Sequence, residues 1–105
     1  MAERVVERTL SDGGLSIHYR LERLGGDLLL TVTGGAAHVG CVVLATHRQS
    51  LTGSGADSAD SSVLNRSGHK DEFLLRALAE RLSAVAGCAV AAVGGVHYDG
   101  LDQQG

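Results

Sequence analysis

A histidine, a lysine and two carboxylates occupy consecutive positions, His69, Lys70, Asp71 and Glu72, directly behind Ser67 and Gly68. The residues that follow, Phe73 to Leu78, read as helix. Ser67 suits an N-cap, and Asp71 and Glu72 suit the positive end of a helix dipole. Neither role accounts for Lys70, which the dipole favours at the opposite end. A lysine beside the free backbone N–H groups of a helix start makes an anion site of the kind phosphates use. Further on, His97 and Asp99 stand two apart in an extended stretch, so their side chains point the same way. A carboxylate so placed can fix the tautomer of a histidine and raise its basicity, for a ligand hydrogen bond, proton transfer or a metal. A solvated strand end is the plainer alternative.

Of the five histidines, His18 shares a polar strand face with Ser16, Arg20 and Glu22 and reads as solvated, and His47 opens a polar stretch and reads as exposed. His38, His69 and His97 each lie close behind glycine at the end or start of an element. With Asp71 or Asp99 they hold enough nitrogen and oxygen donors for zinc or a similar ion, provided the fold gathers them. A metal-dependent hydrolase or lyase using His38, His69 and His97 therefore stays open, as does a structural subunit that binds no ligand. Nucleophilic catalysis has less support: there is no GxSxG, and neither cysteine has a base beside it in sequence.

The rest of the chain sets limits. Its 105 residues predict a single domain, 1–105. A net charge of −3, scattered basic residues and three aromatics argue against nucleic acid. No run approaches the roughly 20 apolar residues of a membrane span, and the polar start Met1–Arg8 is no signal peptide, so a cytoplasmic protein is expected. Cys41 and Cys88, set in apolar runs, read as buried free thiols.

The elements that must position these residues follow from periodicity. Residues 3–9 predict a strand, Ser11–Gly14 a hairpin turn, and the alternation of Leu15, Ile17, Tyr19 and Leu21 a second strand with one wet face. Gly25 and Gly26 turn the chain into a third strand, and Gly34–Gly40 lead to a fourth. Residues 47–66, rich in Ser, Gly, Asp and Ala, read as a flexible loop. From about 69 to 86 the period is helical, with Leu74, Leu78, Leu82 and Val85 as the apolar stripe and Gly87 as the stop. Residues 88–96 predict a last strand, apolar on both faces. The expected fold is α+β: an antiparallel-rich sheet of about five strands, a β-meander of four followed by one helix and a final strand. One helix covers only one face, so a second copy of the chain is expected on the other, as a homodimer.

In this order, Gly34–Gly40 with the apolar strand behind it, His47–Leu51, Ser61–Glu72 and Gly94–Asp99 resemble the prenylated-flavin chaperone family. That family includes the small LpdD-like accessory subunit of gallate decarboxylase systems. The resemblance covers roughly residues 26–100. His47-Arg48-Gln49-Ser50 stands where the family shows a ProArgProSer-like start, and Gly100 stands where asparagine is common. The resemblance implies a protein without turnover of its own. It would bind prenylated FMN, with plain FMN a further candidate, and stabilise or deliver it to a UbiD-like decarboxylase. The positions that fall on the family's motifs are Gly35, His38, Arg48, Ser50, His69, Lys70, His97 and Asp99. In that reading Lys70 and Arg48 hold the flavin phosphate, His38, His97 and Asp99 address the polar edge of the ring, and glycines at the strand ends let the ring approach the backbone.

Overall fold

The computed structural model describes residues 5–35, 37–49, 57–66 and 72–97. The elements run β1 (Val5–Asp12), β2 (Leu15–Leu24), β3 (Asp27–Gly35), β4 (Cys41–Gln49), β5 (Asp57–Asn65), α1 (Glu72–Ala86) and β6 (Val90–His97). Among the described residues the strands form one six-stranded mixed sheet in the order β1-β2-β3-β6-β4-β5, and α1 packs on one face over β4, β5 and β6. The α+β expectation holds, and the sheet is mostly antiparallel, with β3 and β6 its parallel pair.

Turn chemistry sets the first half. Asp12 pairs with Leu15 and Leu24 with Asp27, so Gly13-Gly14 and Gly25-Gly26 make the two hairpin turns. The expected four-strand meander stops after three strands. β6 enters beside β3 and separates it from β4, so the sheet has one strand more than expected and a different order. The cause is visible in Val90–Val96: a run apolar on both faces gains most from a central position, flanked here by β3 and β4.

The stretch 47–66 is also corrected. It carries the end of β4 and all of β5, and the pairing runs from Cys41–Asn65 to Gln49–Asp57. Its Ser, Asp and Ala residues are weak strand formers. The ladder to β4 and the polar outer position at the sheet edge hold this strand, neither of which propensity reveals. Residues 50–56, within the expected loop, lie outside the described residues. His47, expected to be exposed, is half-buried within β4.

Pairing register sorts the side chains onto two faces, since directly opposed residues share a face. The helix side carries Leu30 and Val32 of β3, Val90 and Ala92 of β6, and Cys41, Val43 and Ala45 of β4, all buried. From above, Leu75, Ala79 and Ser83 complete the core at helical spacing. The buried stripe is thus rotated from the expected Leu74, Leu78, Leu82 and Val85. Leu78 and Leu82 pack at its flank, while Leu74 and Val85 are exposed. Ala79 and Ser83 on the helix and Ala45 and Ala92 on the sheet are all small and fully buried, which suits a close approach of helix to sheet.

α1 ends at Gly87, whose φ is 70° and whose N–H donates to the Ser83 carbonyl at 2.9 Å. The buried Ser83 hydroxyl donates to the Cys88 carbonyl at 2.6 Å and ties the helix end to the segment leading into β6. Along its outer flank, Arg76 lies 3.5 Å from both Glu72 and Glu80, and Arg76 and Glu80 both bond Ser61 of β5. Both cysteines are free, Cys41 buried and Cys88 half-buried. Among the described residues no helix is long and apolar enough to cross a membrane.

Candidate functional site

The parallel pair β3 and β6 brings two of the glycine-flanked segments to one end of the sheet. Gly35 and His97 are direct register partners at the last position of each strand. At Gly35, with φ at 68°, the chain leaves the sheet through a left-handed turn that a side chain would strain, and residues 37–40 then lead into β4. His38 lies in that segment, half-buried, with its Nε2 buried.

The same end receives β5 and the helix start. Gly40 donates to the Gly94 carbonyl at 2.8 Å and accepts from the Arg66 backbone N–H at 2.9 Å. The Arg66 guanidinium donates to the Val39 carbonyl at 3.2 Å, and Asn65 Nδ2 donates to Glu72 Oε1 at 2.8 Å. Arg66 and Glu72, the described residues on either side of 67–71 in sequence, both lie at this end. His69, Lys70 and Asp99 are expected site residues that lie outside the described residues, as does Ser50.

Arg48 is placed apart from this group. It stands seven residues beyond Cys41 on β4, about 23 Å along the strand at ~3.3 Å per residue. Its Nε donates to Asp60 Oδ1 at 2.8 Å on the face away from the helix. Within one protomer, Gly35, His38 and His97 are brought together and Arg48 is not.

A cleft of about 390 Å³ adjoins the gathered end, lined by Gly14, Ser16, His18, Thr33, Gly34 and Gly35. The turn Gly13-Gly14 and the end of β3 meet there because Ile17 pairs with Gly34. His18 is half-exposed, yet both its nitrogens are engaged, Nε2 with Glu7 Oε1 at 2.9 Å and Nδ1 with the Thr9 hydroxyl at 2.9 Å. In a neutral ring the carboxylate must accept, so Nε2 carries the proton and Nδ1 accepts from Thr9. Ser11 and Ser16 share a 2.7 Å hydroxyl bond at the cleft edge. Ser16, His18 and Thr33 were not among the site residues expected from sequence. Their types and alternation mark only a wet strand face, and the pairing of β2 with β3 is what sets them beside Gly35.

The glycines at the strand ends serve more than one purpose. Gly94 has φ at 148°, and a Cβ there would lie 1.8 Å from the Val32 carbonyl oxygen. Its bare backbone accommodates the neighbouring strand, a need internal to the sheet. Gly34 and Gly35 are the ones that line the cleft. Among the described residues no three His, Cys, Asp or Glu side chains group as metal ligands.

The fold and this end of the sheet define an α+β protein with a polar, glycine-lined cleft at the ends of its parallel strands. Residues 11–105 match the prenylated flavin chaperone LpdD-like domain, and the chain belongs to that family. No curated protein matches the chain.

Proposed function

We propose that this protein binds prenylated FMN as cargo, without turnover of its own, and hands it to a UbiD-like decarboxylase. The observation that carries the reading is the convergence of Gly35, His38 and His97 on one sheet end beside the polar cleft, in a chain of the prenylated flavin chaperone family. The cleft lies within the roughly 300–1,000 Å³ of ordinary ligand sites. Hydroxyls of Ser16 and Thr33 and the backbone at Gly34 and Gly35 suit the polyol chain and ring edge of a flavin. Lys70 and the backbone at the start of α1 suit its phosphate, and His38, His97 and Asp99 suit the polar ring edge. This reading does not use Arg48, which lies toward the other end of β4 and bonds Asp60.

The working form is a homodimer in this reading. The sheet face away from the helix carries Leu29, Val42, Leu44, Leu64 and Val93 by register, with Leu44 49% and Leu64 75% exposed, and a second copy covers it. The cytoplasm is the proposed compartment.

Anaerobic titration with reduced and oxidised prenylated FMN, and with plain FMN, followed by mass spectrometry of the intact complex, tests the binding. One prenylated flavin per chain is expected. Absence of any flavin complex, with stoichiometric zinc in the purified protein, would replace this reading by the metal-dependent one.

A further inference from the structure

The sheet is wider than its helix cover. Six strands at ~4.8 Å spacing span about 24 Å between outer strands, while a helix with its side chains is about 10 Å across. α1 lies over β4, β5 and β6, and with Leu30 and Val32 of β3 buried at its edge the same side of β1 and β2 is left as an open shelf. By register the shelf is floored by Val6, Leu10, Ile17, Tyr19, Leu21 and Leu28, with Leu10 61% exposed. Its wall is the flank of α1. A groove of about 290 Å³ runs along the corner between Tyr19 and Leu30 on the sheet and Leu78, Arg81, Leu82 and Val85 on the helix. This is the flank where the periodicity of the sequence placed the core-facing stripe, and its half-open state is a surface without an inner partner.

The charges around the shelf are mostly positive. Arg8 and Arg23 stand on it by register, between the apolar residues, and Arg81 rims the groove. Arg8 bonds the Glu7 carbonyl, and among the described residues no carboxylate pairs with Arg8, Arg23 or Arg81. Asp12, at the hairpin tip, is the one acid that register puts on this side of β1, β2 and β3. In a chain whose net charge is −3, the acids are concentrated elsewhere. The arginine on the other side of β2, by contrast, is matched: Arg20 pairs with Glu7 and Glu22.

We infer that this shelf is a docking surface for an acidic amphipathic helix of a partner protein, which lies beside α1 and completes the helix layer. An apolar stripe on that helix meets Leu10, Tyr19, Leu82 and Val85, and its flanking carboxylates meet Arg8, Arg23 and Arg81. A second copy of this chain is a poor occupant, because a two-fold contact through the shelf would bring its arginines against their own counterparts. The shelf and the polar cleft lie on opposite sides of the sheet, so the inference stands apart from the flavin assignment.

Fluorescence anisotropy with two labelled 18-residue helical peptides tests it. Both carry leucine at positions i, i+3, i+4 and i+7; one is flanked by glutamate and the other by lysine. The acidic peptide is expected to bind saturably, at least tenfold tighter than the basic one, with affinity falling as salt rises. Leu10→Glu and the double variant Arg23→Glu, Arg81→Glu are each expected to weaken it at least tenfold, while Leu64→Glu on the opposite face leaves it unchanged. Urea melts of the same variants establish that they fold. Hydrogen exchange with the acidic peptide added is expected to slow at Val6–Leu10 and Leu78–Val85. Equal binding of the two peptides, or equal loss with Leu64→Glu, would overturn the inference. So would dissociation of a wild-type dimer by Leu10→Glu, which assigns the shelf to a second copy. Binding to phosphatidylserine vesicles without binding to the acidic peptide would assign it to a membrane.

Discussion

Gly94 of β6 faces the backbone of Val32 in β3 so closely that an added Cβ would stand 1.8 Å from the Val32 carbonyl oxygen. No rotamer relieves this contact, because the obstacle is backbone within the sheet's parallel pair. Gly94→Ala is therefore expected to destabilise the protein by about 3 kcal/mol or more, or to prevent folding. Gly26→Ala is the comparison: its Cβ would meet nothing within 4 Å, and its effect is expected within about 0.5 kcal/mol. Urea unfolding of the two variants followed by circular dichroism measures both.

That contact also shows where sequence reading stops. Paired glycines, alternation at Leu15–Leu21 and the helical period from about 69 to 86 announce two hairpins, a wet-faced strand and one helix, and all of them are present, the helix as Glu72–Ala86 among the described residues. Those signals are local. The entry of β6 between β3 and β4 is not, and it follows from a competition for the central position that no short window contains. β5 was illegible for a related reason, since Asp57–Ser62 are held by their partner strand and not by propensity. At the site, Gly35, His38 and His97 were readable as residue types beside glycine. The cleft residues Ser16, His18 and Thr33 became site candidates only through the β2–β3 register.

The hydroxyl of Ser83 is buried under α1 and donates to the Cys88 carbonyl at 2.6 Å. Ser83→Ala removes the donor and leaves that carbonyl without it. A loss of about 1–3 kcal/mol is expected, the ordinary cost of stranding a buried acceptor. The same urea series measures it, and an unchanged midpoint would show that water reaches Cys88 and replaces the bond.

Thr33 stands on the face of β3 that lines the polar cleft. Thr33→Phe fills part of the roughly 390 Å³ there without touching the core on the other side of the sheet. The flavin affinity is expected to fall at least tenfold while the thermal midpoint stays within a few degrees. Full affinity in this variant would move the flavin away from the β1–β2 turn.

Leu64, on the edge strand and 75% exposed, lies with Leu44 on the face assigned to the second copy. A charge there has no structural cost in a monomer but must be desolvated in a face-to-face dimer. Light scattering of Leu64→Glu at micromolar concentration is expected to give the monomer mass, against a dimer for the parent. A monomeric parent would remove the dimer from the proposal and leave the cleft untouched.

The family resemblance joins Lys70 and Arg48 in one phosphate site, and the proposed function assigns the phosphate to Lys70 alone. Arg48 bonds Asp60 at the far end of β4, whereas Lys70 falls in sequence between Arg66 and Glu72, which lie at the gathered strand ends. A phosphate at the start of α1 gains a charge-assisted bond from the lysine, of order 1.5–3 kcal/mol, or tenfold and more in affinity. Lys70→Ala is accordingly expected to weaken prenylated FMN at least tenfold, and more at low salt than at high. Arg48→Ala is expected to stay within twofold of the parent in the same anaerobic titration. The reverse pattern would place the phosphate beside β4 and β5. Since β4 holds Arg48 about 23 Å from Cys41, that outcome would move the phosphate to the other end of the sheet.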